Sequence, residues 1–148
     1  MLDLRNIPYT IIELPAKKLS AIKAAQIMGV PPEMVYKTIV VRRQFKGKPI
    51  LAVIPGDKSV NLKSIAQAIG EKRVILATER EAEQLTKLQA GGISPLALIN
   101  KGFQVILDRD ATLLDNIYIS GGQQGMNICI PVTDLIRITN AVLAAITR

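Results

Sequence analysis

"VYKTIVVRRQFKGKPILAVI", residues 35–54, is the stretch on which the fold turns. Val35 to Val41 is an apolar, β-branched run that reads as a mostly buried strand, and "ILAVI" reads as a second. The basic link "RRQFKGK" is short and turn-forming, so strands around 36 to 43 and 49 to 54 are predicted to form a hairpin. One residue breaks the apolar run. Lys37 is of a type seldom buried without a partner. It is either a desolvated cation at a site, or a strand residue whose stem packs while its ammonium reaches water.

Outward from the hairpin, "YTIIEL" (9 to 14) is predicted as a first strand. Ser20 caps a helix bearing Ile22, Ala25 and Met28, closed by Gly29 and Pro31-Pro32. Asn61 caps another, whose Leu62, Ile65, Ala66 and Ile69 fall on one face, with Gly70 ending it. "RVILA" (73 to 77) is a strand, and Thr78 with Glu81 forms a capping box before the next helix. "AGGISPLAL" is a loop by its Gly-Gly and Ser-Pro punctuation. "FQVILD" (103 to 108) and "NIYIS" (116 to 120) are strands, and "GGQQG" leads into "MNICI". Pro131 or Thr133 starts a terminal helical region through Ala145. Asp108 and Asp110 are expected to shape a turn or cap a helix. Strands and helices interleave, but the short links argue against a regular βαβ array. The expectation is one α+β (mixed α/β) domain over 1–148. Its form is a mostly antiparallel mixed sheet, or a partly closed barrel, with peripheral helices.

Composition narrows the chemistry. The 148 residues include no histidine and one cysteine, Cys129. That removes every His-dependent triad and most zinc sites, so neither a metal nor a cofactor is expected. Cys129, in "NICIP", is expected to point into the core. No apolar run approaches a membrane span, and "MLDLRNIPYT" lacks the pattern of a signal peptide. The expectation is a soluble cytoplasmic protein without a membrane partner.

The net charge is +7, and nine basic residues stand against two acidic ones between Lys37 and Arg73, while the remainder balances. Such a segment suits a polyanion, or is a solvated basic face. With few aromatic residues, a base-stacking platform for single-stranded RNA is disfavoured.

Besides Lys37, two glycine loops are candidates. In "GGISPL" (91 to 96) adjacent glycines expose backbone N–H groups able to hold a carbonyl oxygen or oxyanion, and Ser94 adds a hydroxyl. A helix-ending turn fits the same letters. In "SGGQQG" (120 to 125) Ser120 could donate to a substrate beside Gly121 and Gly122, or the segment is only a tight hairpin.

Together "EMVYKTIVV", "LAVIPGDKSVNLKSIAQAIG", "GGISPL" and "IYISGGQQGMNICIPVTDLIRIT" resemble, in order and over about residues 10 to 140, the YbaK/ProX family of aminoacyl-tRNA deacylases. The pattern is nearest to its bacterial Cys-tRNA(Pro) deacylases. The resemblance implies a trans-editing protein that cleaves the ester of mischarged tRNA, with a prolyl-tRNA synthetase as a partner. Carried over by position, Lys37 matches the family's essential lysine. Thr38, Gly91, Gly92, Ile93, Ser94, Ser120, Gly121, Gly122 and Asn127 fall on its substrate-binding stretches. Arg42, Arg43, Lys46, Lys48, Lys58 and Lys63 would then contact tRNA. Two departures stand out: Asn127 replaces a frequent aspartate, and aromatics near the first strand and helix are missing. Alternatives are a catalytically idle tRNA- or synthetase-binding module, a deacylase for another small amino acid such as alanine, and a small-molecule hydrolase or regulator whose basic face is incidental.

Overall fold

Lys37 pairs with Ile54, and Val41 with Ile50, across the antiparallel hairpin of β2 (Tyr36–Arg43) and β3 (Ile50–Pro55). The computed structural model of the chain describes residues 9–15, 17, 19–45 and 47–148. All six residues of β3 are buried, because the hairpin lies inside a five-stranded sheet covered on both faces. On one side β4 (Val74–Leu76) joins β2 antiparallel; on the other, β5 (Gln104–Asp108) and β8 (Val142–Ala144) add parallel. A separate antiparallel sheet has the order β1 (Thr10–Glu13), β7 (Met126–Pro131), β6 (Asn116–Ser120). The class is therefore α+β as expected. The two sheets do not close into a barrel.

Alternation along the strands divides the core into two layers. Val40, Leu51 and Val53 pack with Ile117, Ile119, Ile128 and Ile130 of the small sheet. Their neighbours Val41, Ile50, Ala52 and Ile54 face the other way, onto Ile65 and Ala66 of α2 (Leu62–Ala68). Fully burying each such side chain contributes about 1.5–3 kcal/mol, so this double layer fixes β2 rigidly.

Local chemistry sets the helix starts. Ser20 Oγ accepts from the Lys23 N–H at 3.0 Å to open α1 (Ala21–Met28), and Gly29 closes it in the left-handed region. Asn61 Oδ1 accepts from the Ser64 N–H at 3.1 Å to open α2. Thr78 and Glu81 exchange bonds of 3.1 and 3.0 Å at the start of α3 (Glu79–Thr86).

Two expectations are corrected. The terminal helix, α4 (Val132–Thr139), stops well before Ala145: Asn140 takes a left-handed φ of 55°, and the chain continues as β8 beside β5. The buried Asp108 holds this tail. Its carboxylate accepts from the Ile146 N–H at 3.0 Å and from the Asp110 N–H at 3.2 Å, so it also caps the turn after β5 as expected. Cys129 does not enter the core. Ile128 and Ile130 take the inward face of β7, so the period of two sets Cys129 on the outer face, paired with Tyr118 and Thr10. Burial, then the neighbouring Cys129, raises the Tyr118 pKa. No helix among the described residues is long and apolar enough to cross a membrane.

Candidate functional site

A cleft of about 590 Å³ opens where the first half of β2 meets the start of α1 and the two glycine loops. Lys37, Thr38, Gly91, Ile93, Ser120 and Asn127 all line it. These six come from four separate stretches of sequence, and the fold brings them to one hollow. Lys37 is partly buried there. That burial lowers its pKa below the ordinary lysine value, against a weaker upward pull from Asp57. The result is a cation carried on a stiff central strand beside exposed main chain.

The two loops are locked to each other. Gln124 Nε2 donates to the Ala90 carbonyl at 2.7 Å, and Ser120 Oγ donates weakly to the Gly91 carbonyl at 3.5 Å. Gly92 is buried against this junction: a Cβ there would stand 2.9 Å from the backbone of Gln123 and Gln124. Gly91 itself has φ 86°, a left-handed geometry that favours glycine. Its main chain is therefore presented to the cleft in one orientation.

Gly56, just after β3, also lines the cleft. Its N–H donates to the Val35 carbonyl at 2.7 Å, and a Cβ would overlap the side chain of Ala21 at the start of α1. The sequence reading passed over Gly56 and Gln124. "IPGD" after a strand was an available signal for the first; nothing local marks the second, whose partner is 34 residues away.

The remaining candidates lie outside the cleft lining. Ser94 is fully buried, and its Oγ accepts from the Leu96 N–H at 3.1 Å, a local turn bond. Gly92 packs rather than lines, as above. Gly121 and Gly122 border a different groove, shared with Ala97 and Met126.

The basic residues also divide. Arg43 is a clamp: it ion-pairs with Glu71 at 2.6 Å, donates to the Lys48 carbonyl at 2.8 Å and donates to Gln104 Oε1. Arg42 Nε lies 3.1 Å from Glu81 Oε2, an ion pair without hydrogen-bond alignment. Lys48 borders a third depression, whereas Lys58 and Lys63 are exposed. Lys46 lies outside the described residues. The cleft rim itself carries Lys17, which the sequence reading did not single out.

The hollow thus combines a partly desolvated cation, a hydroxyl at Ser120, an amide at Asn127 and fixed main-chain groups. No cluster of three or more His, Cys, Asp or Glu able to hold a metal occurs among the described residues. Such a set can position an already activated ester and stabilise charge developing on its carbonyl oxygen.

Comparison with known proteins agrees with this chemistry. Residues 16–138 match the family described as the aminoacyl-tRNA editing domain. EbsC of Enterococcus faecalis, named as a candidate Cys-tRNA(Pro)/Cys-tRNA(Cys) deacylase, is 32% identical over 99% of this chain and 90% of its own. The prolyl-tRNA editing protein ProX of Acetoanaerobium sticklandii is 23% identical over 95% of this chain and 87% of its own. The proline–tRNA ligase of Desulforamulus reducens is 26% identical over 79% of this chain, which spans only 20% of the ligase. Among solved structures, a hypothetical protein superposes with TM-score 0.86 at 27% identity, covering 95% of this chain and 92% of its own.

Proposed function

The chain belongs to the aminoacyl-tRNA editing family, and on that premise we propose that it removes cysteine from mischarged tRNA(Pro) in trans. The observation that carries this reading is the placement of Lys37. A cation with depressed proton affinity stands on the wall of a cleft that also presents Gly91, Ser120 and Asn127.

The ester bond joining an amino acid to the terminal ribose is activated, so the site supplies position and electrostatics rather than a strong base. Lys37 holds the substrate through its terminal phosphate or its carbonyl oxygen, while the cleft's main-chain groups fix the ester. The cysteinyl thiol then attacks its own carbonyl carbon. A carbon–sulfur bond forms, the carbon–oxygen ester bond breaks, and the thiol proton ends on the released ribose oxygen. A cyclic thiolactone leaves, and no histidine is needed.

A second reading has a specific observation behind it. Asn127 lines the cleft where the family often carries an aspartate. A neutral amide there changes the amino-acid pocket and suits alanine or another small residue, for which a held water attacks instead. On either reading, exposed Lys58 and Lys63 serve as phosphate contacts, and a prolyl-tRNA synthetase is the partner that supplies the mischarged tRNA.

The test is a deacylation panel of Cys-, Ala- and Ser-charged tRNA(Pro), with Cys-tRNA(Cys). Cysteine removal with thiolactone release supports the first reading. Cleavage of Ala-tRNA(Pro) alone selects the second, and no cleavage of any ester overturns both.

A further inference from the structure

The outer edge of β2 is covered at both ends but not in the middle. At one end Val35 bridges Tyr118 of β6; at the other the Ala77 N–H donates to the Val40 carbonyl at 3.1 Å, and β4 pairs with Val41 to Arg43. Because Val40 turns its carbonyl away from β3, antiparallel alternation turns the N–H and C=O of Thr38 the same way. Among the described residues no strand pairs with that edge of Thr38, since the chain leaves β4 at Leu76 and enters α3 at Glu79. Thr38 lines the cleft together with Ala77, which flanks that same outward edge, so the edge faces the cleft.

An uncovered strand edge is a ready-made hydrogen-bonding template, and the size of this window limits what it can take. An added peptide strand would pair at successive outward residues, here Tyr36, Thr38 and Val40, yet both flanks are occupied. Of these three, Thr38 is the residue with neither group engaged, since Val40 already gives its carbonyl to Ala77 and Tyr36 lies beside the bridge to Tyr118. A planar base offering one acceptor beside one donor fits the Thr38 edge. Adenine does so through N1 and its 6-amino group; hypoxanthine, with N1–H and O6, reverses the polarity. Leu76, which is 47% exposed, together with Ala77 and Ile93, supplies apolar cover for the faces of a base in the same cleft.

We propose that the main-chain N–H and C=O of Thr38 read the Watson–Crick edge of the substrate's terminal adenine. This deepens the deacylase reading and rests on it. The site would thereby select its nucleotide through backbone alone, which explains how a chain poor in aromatic residues can hold a base.

The test compares 3′-aminoacyl esters of adenosine, purine riboside (no 6-amino group) and inosine as minimal substrates of the full chain. Binding of the three free nucleosides is measured separately. The expected result is an increase in KM of about tenfold for purine riboside and more for inosine, with kcat little changed. Thr38→Val removes the hydroxyl and should keep this discrimination. Thr38→Pro deletes the outward N–H, which β3 does not use, but also fixes the local φ and constrains Lys37, so its loss of the preference for adenosine over inosine is read from nucleoside binding rather than from turnover. If Thr38→Pro fails to fold, the nucleoside comparison on the native chain still decides. Equal KM and equal nucleoside affinity across the three would overturn the proposal while leaving deacylation intact. Absence of cleavage with a retained adenosine preference would instead remove the deacylase reading and keep the base contact.

Discussion

Gln124 Nε2 donates to the Ala90 carbonyl at 2.7 Å, joining the loop that follows β6 to the loop that carries Gly91. Through this bond one glycine loop becomes the scaffold of the other. Gly92 seals the junction from below by having no side chain.

Gln124→Ala should therefore loosen the Gly91 main chain more than it harms the fold. Loss of one partly buried hydrogen bond costs about 1 kcal/mol of stability, a change measurable by thermal melting. Misplacement of the substrate ester should lower kcat on the order of tenfold to a hundredfold. Unchanged kcat would show that the loops hold their geometry without the clamp.

Gly92→Ala tests the same junction by intrusion. The added methyl would stand 2.9 Å from the Gln123 and Gln124 backbone, which cannot move as a side-chain tip can. The expected cost is about 1–3 kcal/mol in denaturant unfolding, accompanied by loss of deacylation. Wild-type stability would mean that the loops separate freely.

Arg43 should prove structural rather than nucleic-acid binding. Its guanidinium joins Glu71, Gln104 and the Lys48 carbonyl. Arg43→Ala should lower stability by about 2 kcal/mol, since charged hydrogen bonds are lost from a part-buried site. The salt dependence of tRNA binding should stay unchanged, whereas Lys58→Ala should make its slope shallower by about one unit. Equal slopes for Arg43→Ala and Lys58→Ala would contradict this division.

The depressed pKa of Lys37 has a definite consequence for stability. Below its folded-state pKa the amine is charged in both states, and the folded state bears the full cost of desolvation. As pH rises from that value to the ordinary lysine value, the folded chain gives up its proton first and the cost is relieved, so stability rises through that alkaline window. Lys37→Met should remove this rise. Difference melts of the two proteins across alkaline pH check the sign, and a parallel profile would contradict the burial of the amine.

Much of this architecture was legible in the sequence where local chemistry decides it. Ser20, Asn61 and the Thr78–Glu81 pair each make the capping bonds their residue types imply, and the hairpin of β2 and β3 follows from its apolar runs. What escaped depends on distant partners. Val142 to Ala144 continues a helix-compatible pattern, yet pairs with β5 because Asn140 ends α4 and a parallel slot is open there. Cys129 looks like a core residue until the register shows Ile128 and Ile130 on the buried face. Likewise, the letters of "GGISPL" and "SGGQQG" point to two substrate loops. Only their mutual packing separates Gly91 and Ser120, which line the cleft, from Gly92, Ser94, Gly121 and Gly122, which do not. The surplus of basic residues reads as one surface, but Arg43 is tied into a part-buried clamp with Glu71, while Arg42 stands beside Glu81 on the exposed side.

The measurement closest to the central claim is single-turnover deacylation of Cys-tRNA(Pro) by the native chain and by Lys37→Ala, with melting curves for both. Lys37→Ala should keep a cooperative fold and lose about a hundredfold or more in rate, as expected when a preorganised charge is removed from a reacting ester. A wild-type rate from a folded Lys37→Ala protein would contradict the assignment of the cleft as the editing site.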